Sequence, residues 1–529
     1  MTGPRLSVCM IVKDEEQYLG ACLKSVRGVA DEIIVVDTGS TDRSPEIAAE
    51  LGARVVSFPW TGSFAESRNV SLDHATGDWI LVLDGDDELA SEDRSKVRPL
   101  LNSSDVEGFF FTTISFSGVV PGADFEIAPN LRLFRNKREY RFSGTIHEQI
   151  VDSILSVNPE ARFGNSGVRV YHYGYLSGSL ATKDKIERNL SILNQQVKQN
   201  SEDRYLRQCL GMEYFRLGRY EEALTEFARA KEGLDPRIMW GSRVFRSMAV
   251  CLIELRRYDQ ALGLIAEGMG AYPDYTDLVF LEGAARFRAG QHAMAVGALH
   301  QCLSMGAPPV PPYITDRGMY GYKAYYFLGR AYESLGRRAE ALQAYHKSFE
   351  NNTAFLEPLG RRARILLEEM PEEGVRSDLE RFFALDSPPH LVVLADIFGS
   401  LGRYRASLDY LTQASLIEAP SPQSRFLKGH SLAGLGRYRD ALTEFQEVPA
   451  DGPLAFKSAV ESYYCLWMTG QAEAAAELLA TDDGELRRAI SEFLREKDRE
   501  VLEKGLRRFP EASILRAELS VLPGASATG

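Results

Sequence analysis

The chain has 529 residues, with 61 Lys and Arg against 74 Asp and Glu, and a net charge of −13. That balance argues against a surface that coats nucleic acid or binds an anionic membrane, since both need excess cation. Hydrophobic content of 44% and charged content of 26% are those of an ordinary globular protein, and no apolar run approaches the roughly 18 residues of a membrane helix.

The first segment has no basic-then-apolar secretion signal. Cys9, Cys22, Cys209, Cys251, Cys302 and Cys465 form no C-x-x-C pair. The expectation is a cytoplasmic protein with reduced, buried thiols. Residues 6–12 are a continuous apolar run, the pattern of a strand buried on both faces, and a helical stretch over 15–26 follows. Residues 33–37 are a second such run, after which Thr38, Gly39, Ser40, Thr41 and Asp42 supply turn and N-cap residues for a helix to 51. A strand at 53–58, a helix over 63–75 and a strand at 79–83 continue the alternation. Such units with right-handed crossovers predict a mostly parallel, doubly wound sheet. Between 108 and 175 helical periodicity is weak, and 109–116, 131–134 and 168–173 read as further strands. An α/β domain over 1–180 is expected.

Beyond it lie a connecting helix at 181–204 and helix pairs over 205–485. The sequence LGRY recurs at 217–220, 401–404 and 435–438, and Gly402, Gly436 and Gly470 are spaced by 34 residues. Arg256 and Gly290, also 34 apart, mark weaker copies. Tyr220, Ala223 and Leu224, like Tyr438, Ala441 and Leu442, repeat a Y-x-x-A-L pattern after the turn. A 34-residue helix-turn-helix period with small residues at helix contacts is the tetratricopeptide (TPR) signature, an all-α superhelix. Residues 306–320, with Pro308, Pro309, Pro311, Pro312 and Tyr313, interrupt it. They read either as a loop or as an insertion reaching back to the α/β domain or lying beside a groove. Residues 357–388 keep helical composition without the turn motif, and 486–529 read as capping helices and a tail.

Asp84, Asp86, Asp87 and Glu88 put four carboxylates in five residues. A calcium EF-hand starting at Asp84 fails, because its sixth and twelfth positions are Leu89 and Ser95. One reading sets the cluster at the carboxyl end of a central strand, where open α/β sheets bind ligands and Asp-x-Asp can hold a divalent ion gripping a diphosphate. The other is a solvated acidic turn.

Four motifs occur in order: LSVCMIVKDEE at 6–16, DEIIVVDTGSTD at 31–42, Ala65 with Arg68 and Asn69, and GDWILVLDGD at 77–86. Together they resemble family 2 glycosyltransferases of the GT-A fold, a Rossmann-like catalytic domain that takes nucleotide-sugar donors and inverts the anomeric centre. LRLFRN at 131–136, GTIHEQ at 144–149 and YHYGY at 171–175 are similar to the branch fused to TPR repeats, which includes bacterial peptide S-glycosyltransferases. The resemblance implies nucleotide-sugar contacts at Val12, Lys13, Asp14, Glu15, Asp37, Gly39, Ser40, Arg68, Asp84 and Gly85. Asp37 would accept from the uracil ring nitrogen, Asp84 would lie nearest the ribose, and Asp86 would bind Mn²⁺ or Mg²⁺. Asp14 stands where many relatives have Asn, so an amide-donated hydrogen bond is not available. Arg68 would brace the diphosphate or neutralise Asp84.

Inverting transfer also needs a base on the acceptor side. His147 and Glu148 are the candidates, with Glu148 favoured. Its rival role is an ion pair with Arg138 or Arg141. His172 reads as a further metal ligand or a structural histidine, and His74 as structural. The resemblance implies a protein or peptide acceptor in the TPR groove and a UDP-sugar donor, while charge and hydropathy lead us to expect no nucleic-acid partner and no membrane span. The repeats would also allow self-association into a homo-oligomer. Glycan acceptors, or a scaffold with an inactive transferase domain, are the alternatives.

Overall fold

The computed structural model describes residues 3–118, 124–176, 180–450, 452–471 and 474. The expected capping helices at 486–529 lie outside them. The chain divides into two compact units, Met1–Leu356 and Glu357–Gly529.

The first unit opens with alternating strands and helices: β1 (Leu6–Val12), α1 (Glu16–Ser25), β2 (Glu32–Asp37), α2 (Ser44–Glu50), β3 (Arg54–Ser57), α3 (Phe64–Asp73), β4 (Trp79–Val82) and β5 (Asp87–Leu89). Then come α4 (Arg94–Leu100), β6 (Gly108–Gly118), β7 (Asp124–Arg135), α5 (Val151–Val157) and β8 (Phe163–Leu176). β1 is buried along nearly its whole length, as a two-sided apolar run requires. α3 starts at Ser63, whose side chain accepts from the Glu66 N–H, and Pro45 opens α2 where its missing donor costs nothing. The strand order is β3-β2-β1-β4-β7-β6-β8-β5. The first four strands pair in parallel, as expected. Past β4 the sheet turns mixed: β7 is antiparallel to β4 and β6, β8 is parallel to β6, and β5 is antiparallel to β8. The second half therefore combines antiparallel pairs with the parallel pair of β6 and β8. One apolar layer packs β1 and β4 against α1 and α4, and another packs the opposite face against α3 and α5.

Helix α6 (Leu180–Gln199) leads into antiparallel helix pairs: α7 (Arg204–Arg216) with α8 (Tyr220–Lys231), α9 (Gly241–Glu254) with α10 (Tyr258–Ala271), and α11 (Thr276–Arg288) with α12 (His292–Met305). The insertion follows. Its Thr315–Asp316 form β9, antiparallel to Glu126 and Ile127 of β7. β4 pairs with the other end of the same β7 edge, at Leu133–Arg135. β9 thus occupies edge positions that a sheet would otherwise leave open. α13 (Tyr322–Ser334) and α14 (Arg338–Asn351) complete the unit.

The second unit holds α15 (Glu357–Glu369) with α16 (Glu372–Glu380), α17 (Pro388–Ser400) with α18 (Tyr404–Ile417), α19 (Pro422–Gly434) with α20 (Tyr438–Gln446), and α21 (Ala455–Thr469). Across the described repeats Gly218, Gly290, Gly336, Gly402 and Gly436 close the first helix of a pair at φ between 69° and 78°, and Gly470 ends α21 at 85°. This left-handed region is one that glycine adopts without steric cost.

Candidate active site

β1, β2 and β4 run parallel and end side by side, with Val12 opposite Asp37 and Cys9 opposite Val82. Three loops leave these ends. Asp37 is buried and its carboxylate accepts from the N–H groups of Ser40 (3.1 Å) and Gly39 (3.3 Å), curling the second loop. Asp14, in the left-handed conformation at φ 53°, joins it to the first: its Oδ1 accepts from the N–H (2.6 Å) and Oγ1 (3.1 Å) of Thr41, and its own N–H donates to Ser40 Oγ (3.0 Å). These contacts ask only for an acceptor, which aspartate supplies as well as asparagine. Lys13 is exposed and Val12 buried. A side chain on Gly85 would meet Glu15 at 3.2 Å and Val12 at 3.6 Å, so the third loop lies against the first.

The acidic run holds this third loop and β5. Arg68, buried on α3, donates from Nη2 to Asp84 (2.8 Å) and from Nε to Glu148 (2.6 Å). Arg132 on β7 pairs with Asp87 at 2.7 Å and approaches Asp84 at 3.9 Å. The pairing of β5 with β8 sets Asp87 opposite His172. His172 Nδ1 lies 3.0 Å from Asp87 and 3.4 Å from Asp86. Burial works to raise the Asp84 carboxyl, but Arg68 and Arg132 hold it well below the usual carboxylate range. Burial lowers His172, and the Asp86 and Asp87 carboxylates outweigh it and carry the imidazole well above its ordinary value. A Cβ on Gly174 would lie 2.2 Å from Asp86 Oδ2, so the glycine makes room for that carboxylate.

The donor set fits a divalent cation. Asp84, Asp87 and His172 offer ligand atoms within 4.8 Å of one another. Carboxylate oxygens suit a hard ion, and the imidazole shifts the preference from Mg²⁺ toward a transition ion such as Mn²⁺. The sequence singles out Asp86 and His172 as ligands; among the described residues the group within 4.8 Å joins His172 to Asp84 and Asp87, while Asp86 stands 3.4 Å from His172 Nδ1. Arg132 was missed as a site residue, although its motif was noticed.

Glu148 pairs with Arg68 rather than with Arg138 or Arg141. Arg141 turns instead to Asp73 (2.8 Å) on α3, and Arg138 is exposed. His147 stands beside Glu148 at φ 52°, and His74 caps the end of α3. The tyrosines at 332, 345, 463 and 464 are buried packing residues. No helix among the described residues is long and apolar enough to cross a membrane.

Residues 7–151 match Glycosyl transferase family 2, and residues 322–354 and 392–455 match tetratricopeptide repeat families. A TPR repeat-containing protein of Synechococcus elongatus is 39% identical over 214 residues, 39% of this chain and 51% of the relative. An uncharacterized glycosyltransferase of Rickettsia typhi is 32% identical over 160 residues, 28% of this chain and 53% of the relative. The SPbeta prophage-derived glycosyltransferase SunS of Bacillus subtilis is 25% identical over 224 residues, 42% of this chain and 52% of SunS. The chain thus spans about half the length of these curated relatives. Among solved structures, a thermophilic TPR protein of Thermus thermophilus is 22% identical, covering 36% of this chain and 94% of that one at a TM-score of 0.28. The N-terminal part is a family 2 glycosyltransferase domain, and TPR repeats follow it.

Proposed function

We propose that the chain is an inverting glycosyltransferase that moves a sugar from a UDP-linked donor to a protein or peptide guided by the TPR repeats. The observation that carries this reading is the convergence of Asp37, Asp84, Asp86, Arg68 and the His147–Glu148 turn around the ends of three parallel strands. A sheet places ligands there because the loops leaving adjacent strands open a crevice. Asp37 and the loop through Ser40 take the nucleoside. Arg68 fixes the Asp84 and Glu148 carboxylates on one guanidinium, and that triplet sets the floor for the diphosphate.

Asp84, Asp86, Asp87 and His172 would hold Mn²⁺ or Mg²⁺, which supplies Lewis-acid stabilisation of the charge that gathers on the diphosphate. The residues around it keep the leaving group oriented. On the opposite face of the sugar, the acceptor loses its proton as it attacks. We assign the acceptor-side base to His147 rather than Glu148, because Glu148 already serves through Oε1 as the ion-pair partner of Arg68. The TPR families at 322–354 and 392–455 support a protein or peptide acceptor.

The test is nucleotide release from a panel of nucleotide sugars with Mn²⁺ or Mg²⁺, run with protein, peptide and oligosaccharide acceptors. A UDP-sugar is expected to turn over, and Asp86→Ala to abolish it. Release from no donor would overturn the enzymatic reading. Transfer to oligosaccharides alone would overturn the protein acceptor.

A further inference from the structure

The turn that carries His147 is held from the helical array. Ile146 is buried among Leu190, Leu193 and Val197 of α6 and Cys209 and Leu210 of α7. The left-handed backbone of His147 is strained for a non-glycine residue, so its surroundings must impose it. They do so through its carbonyl, which accepts from Tyr205 Oη of α7 (3.2 Å) and from Gln149 Nε2 (3.1 Å). Gln149 Nε2 also donates to the same tyrosine oxygen at 2.8 Å.

Two turns along α7 lies Glu213, with no exposed surface. Its Oε1 is 2.6 Å from Arg216 and 3.5 Å from His147 Nε2, and its Oε2 has no hydrogen-bond partner. A buried carboxylate with an unmatched oxygen is destabilising, and an apolar residue would fill this position without that cost. Burial works to raise the Glu213 carboxyl, but His147 and Arg216 bring it below its ordinary value, so the group is ionised at neutral pH. The other charged groups nearby are Glu148 on the same turn as His147 and Arg188 on α6, which acts on Glu213 through space.

We infer that Glu213 is a positioning residue for sugar transfer: it takes the Nε2–H of His147, so that the lone pair sits on Nδ1 and the acceptor's proton is received there. The inference rests on the glycosyltransferase reading with His147 as base. In the step, the acceptor's O–H, S–H or N–H bond breaks and the proton passes to Nδ1. The electron pair so freed bonds to the anomeric carbon, while the carbon–oxygen bond to the diphosphate breaks and its pair leaves on the nucleotide. The imidazolium then faces a carboxylate 3.5 Å away, the arrangement by which a buried acid holds the tautomer and steadies the charge of a histidine base. The helical array therefore completes the catalytic site as well as presenting an acceptor.

The test compares Glu213→Gln, Glu213→Asp, His147→Gln and the double variant in the full chain. Glu213→Gln is expected to lower kcat for transfer at least about ten-fold with the donor KM unchanged. The acid limb of its kcat/KM profile moves to lower pH, because the imidazolium has lost its counter-charge. Glu213→Asp should keep the wild-type pH profile at reduced kcat, and the double variant should be no slower than His147→Gln alone. Wild-type pH dependence in Glu213→Gln, the Glu213→Gln profile in Glu213→Asp, or multiplicative losses in the double variant would each overturn the inference. A wild-type chain that releases nucleotide from no donor would overturn the proposed function, and this inference with it. A working wild type with an unaffected Glu213→Gln overturns the inference alone.

Discussion

Gly174 sits where β8 passes the acidic loop, and a single methyl group there would press on Asp86 Oδ2 at 2.2 Å and on the His172 ring at 3.0 Å. Gly174→Ala should leave the fold intact and lower nucleotide-sugar turnover by about 10²-fold, since a displacement near 1 Å costs that much when groups must meet a reacting centre. Turnover at the wild-type rate would show that Asp86 need not stay where it is. Asp93 is a residue whose work is structural. It is 1% exposed and accepts from Arg169 Nε (2.6 Å), the Arg169 N–H (3.1 Å) and Lys96 Nζ (2.6 Å), fastening the start of α4 to β8. Burial works to raise its carboxyl, and Arg169 and Lys96 overcome that and bring it to about 2. A folded value below the unfolded one stabilises the protein above pH about 4, and the contribution fades as pH falls toward 2. Asp93→Asn should therefore cost about 1–2 kcal/mol at pH 7, less than the full shift because Arg169 and Lys96 are partly exposed. Thermal melts should show the wild type and variant converging near pH 2, and a gap of constant size would refute the account. Asp84, Asp86 and His172 were legible in the sequence because they stand in short motifs. Glu213 was not, because it meets its partner only after α6 and α7 fold back on the first domain.

The strands of the parallel half could be read as elements because burial on both faces forces continuous apolar runs, as in β1 and β4. β5 escaped because its Asp87 and Glu88 look like loop, although Asp87 is buried against Arg132 and His172. β9 escaped because two residues in a proline-rich stretch carry no period at all. In the repeats the turn glycines were visible, but a second set was not. Gly211, Gly283, Gly329 and Gly429 each stand seven residues before a turn glycine, and a Cβ there would meet Phe227, Leu299, Tyr345 or Phe445 at 2.5–2.7 Å. Each first helix thus leaves a notch for a large side chain of the second. Gly429→Ala should destabilise the second unit by about 1–3 kcal/mol through overpacking against Phe445. The opposite sign is expected at Arg256, the turn residue held at φ 58° where the other copies use glycine. Arg256→Gly should raise stability by about 1 kcal/mol, the left-handed strain exceeding the entropy that glycine loses on folding. A fall in the urea midpoint would mean that Arg256 makes a stabilising contact which outweighs its strain.

At the level of the molecule, the insertion is one of several links that join the transferase domain to the first repeats. Glu126 of β7 pairs with Arg243 (3.0 Å) and with Arg246 of α9, and Arg246 continues to Asp277 of α11 (3.2 Å). Asp277 accepts from the Asp316 N–H (3.0 Å) and from Thr315 Oγ1, and Tyr275 donates to the Ile314 carbonyl (2.6 Å). Asp124 receives Tyr322 Oη (2.6 Å) and Lys323 Nζ (2.9 Å) from α13. The sequence shows proline clustering and an interrupted period, from which a loop is the plainer reading and a strap the other. What decides between them is the complementary edge at Glu126 and Ile127, which only the folded sheet presents. Replacing residues 306–318 by a Gly-Ser linker removes β9, its bonds to β7 and the cover over Asp277. Only part of one strand loses its neighbour, so the consequence should be local. Hydrogen exchange is expected to speed at least ten-fold at residues 124–128, on the order of 1.4 kcal/mol of lost protection. Residues 133–135, still paired with β4, should exchange as in the wild type. Equal acceleration along the whole of β7 would mean that the insertion supports the entire sheet, and no acceleration would mean that α9 and α13 hold this edge without it.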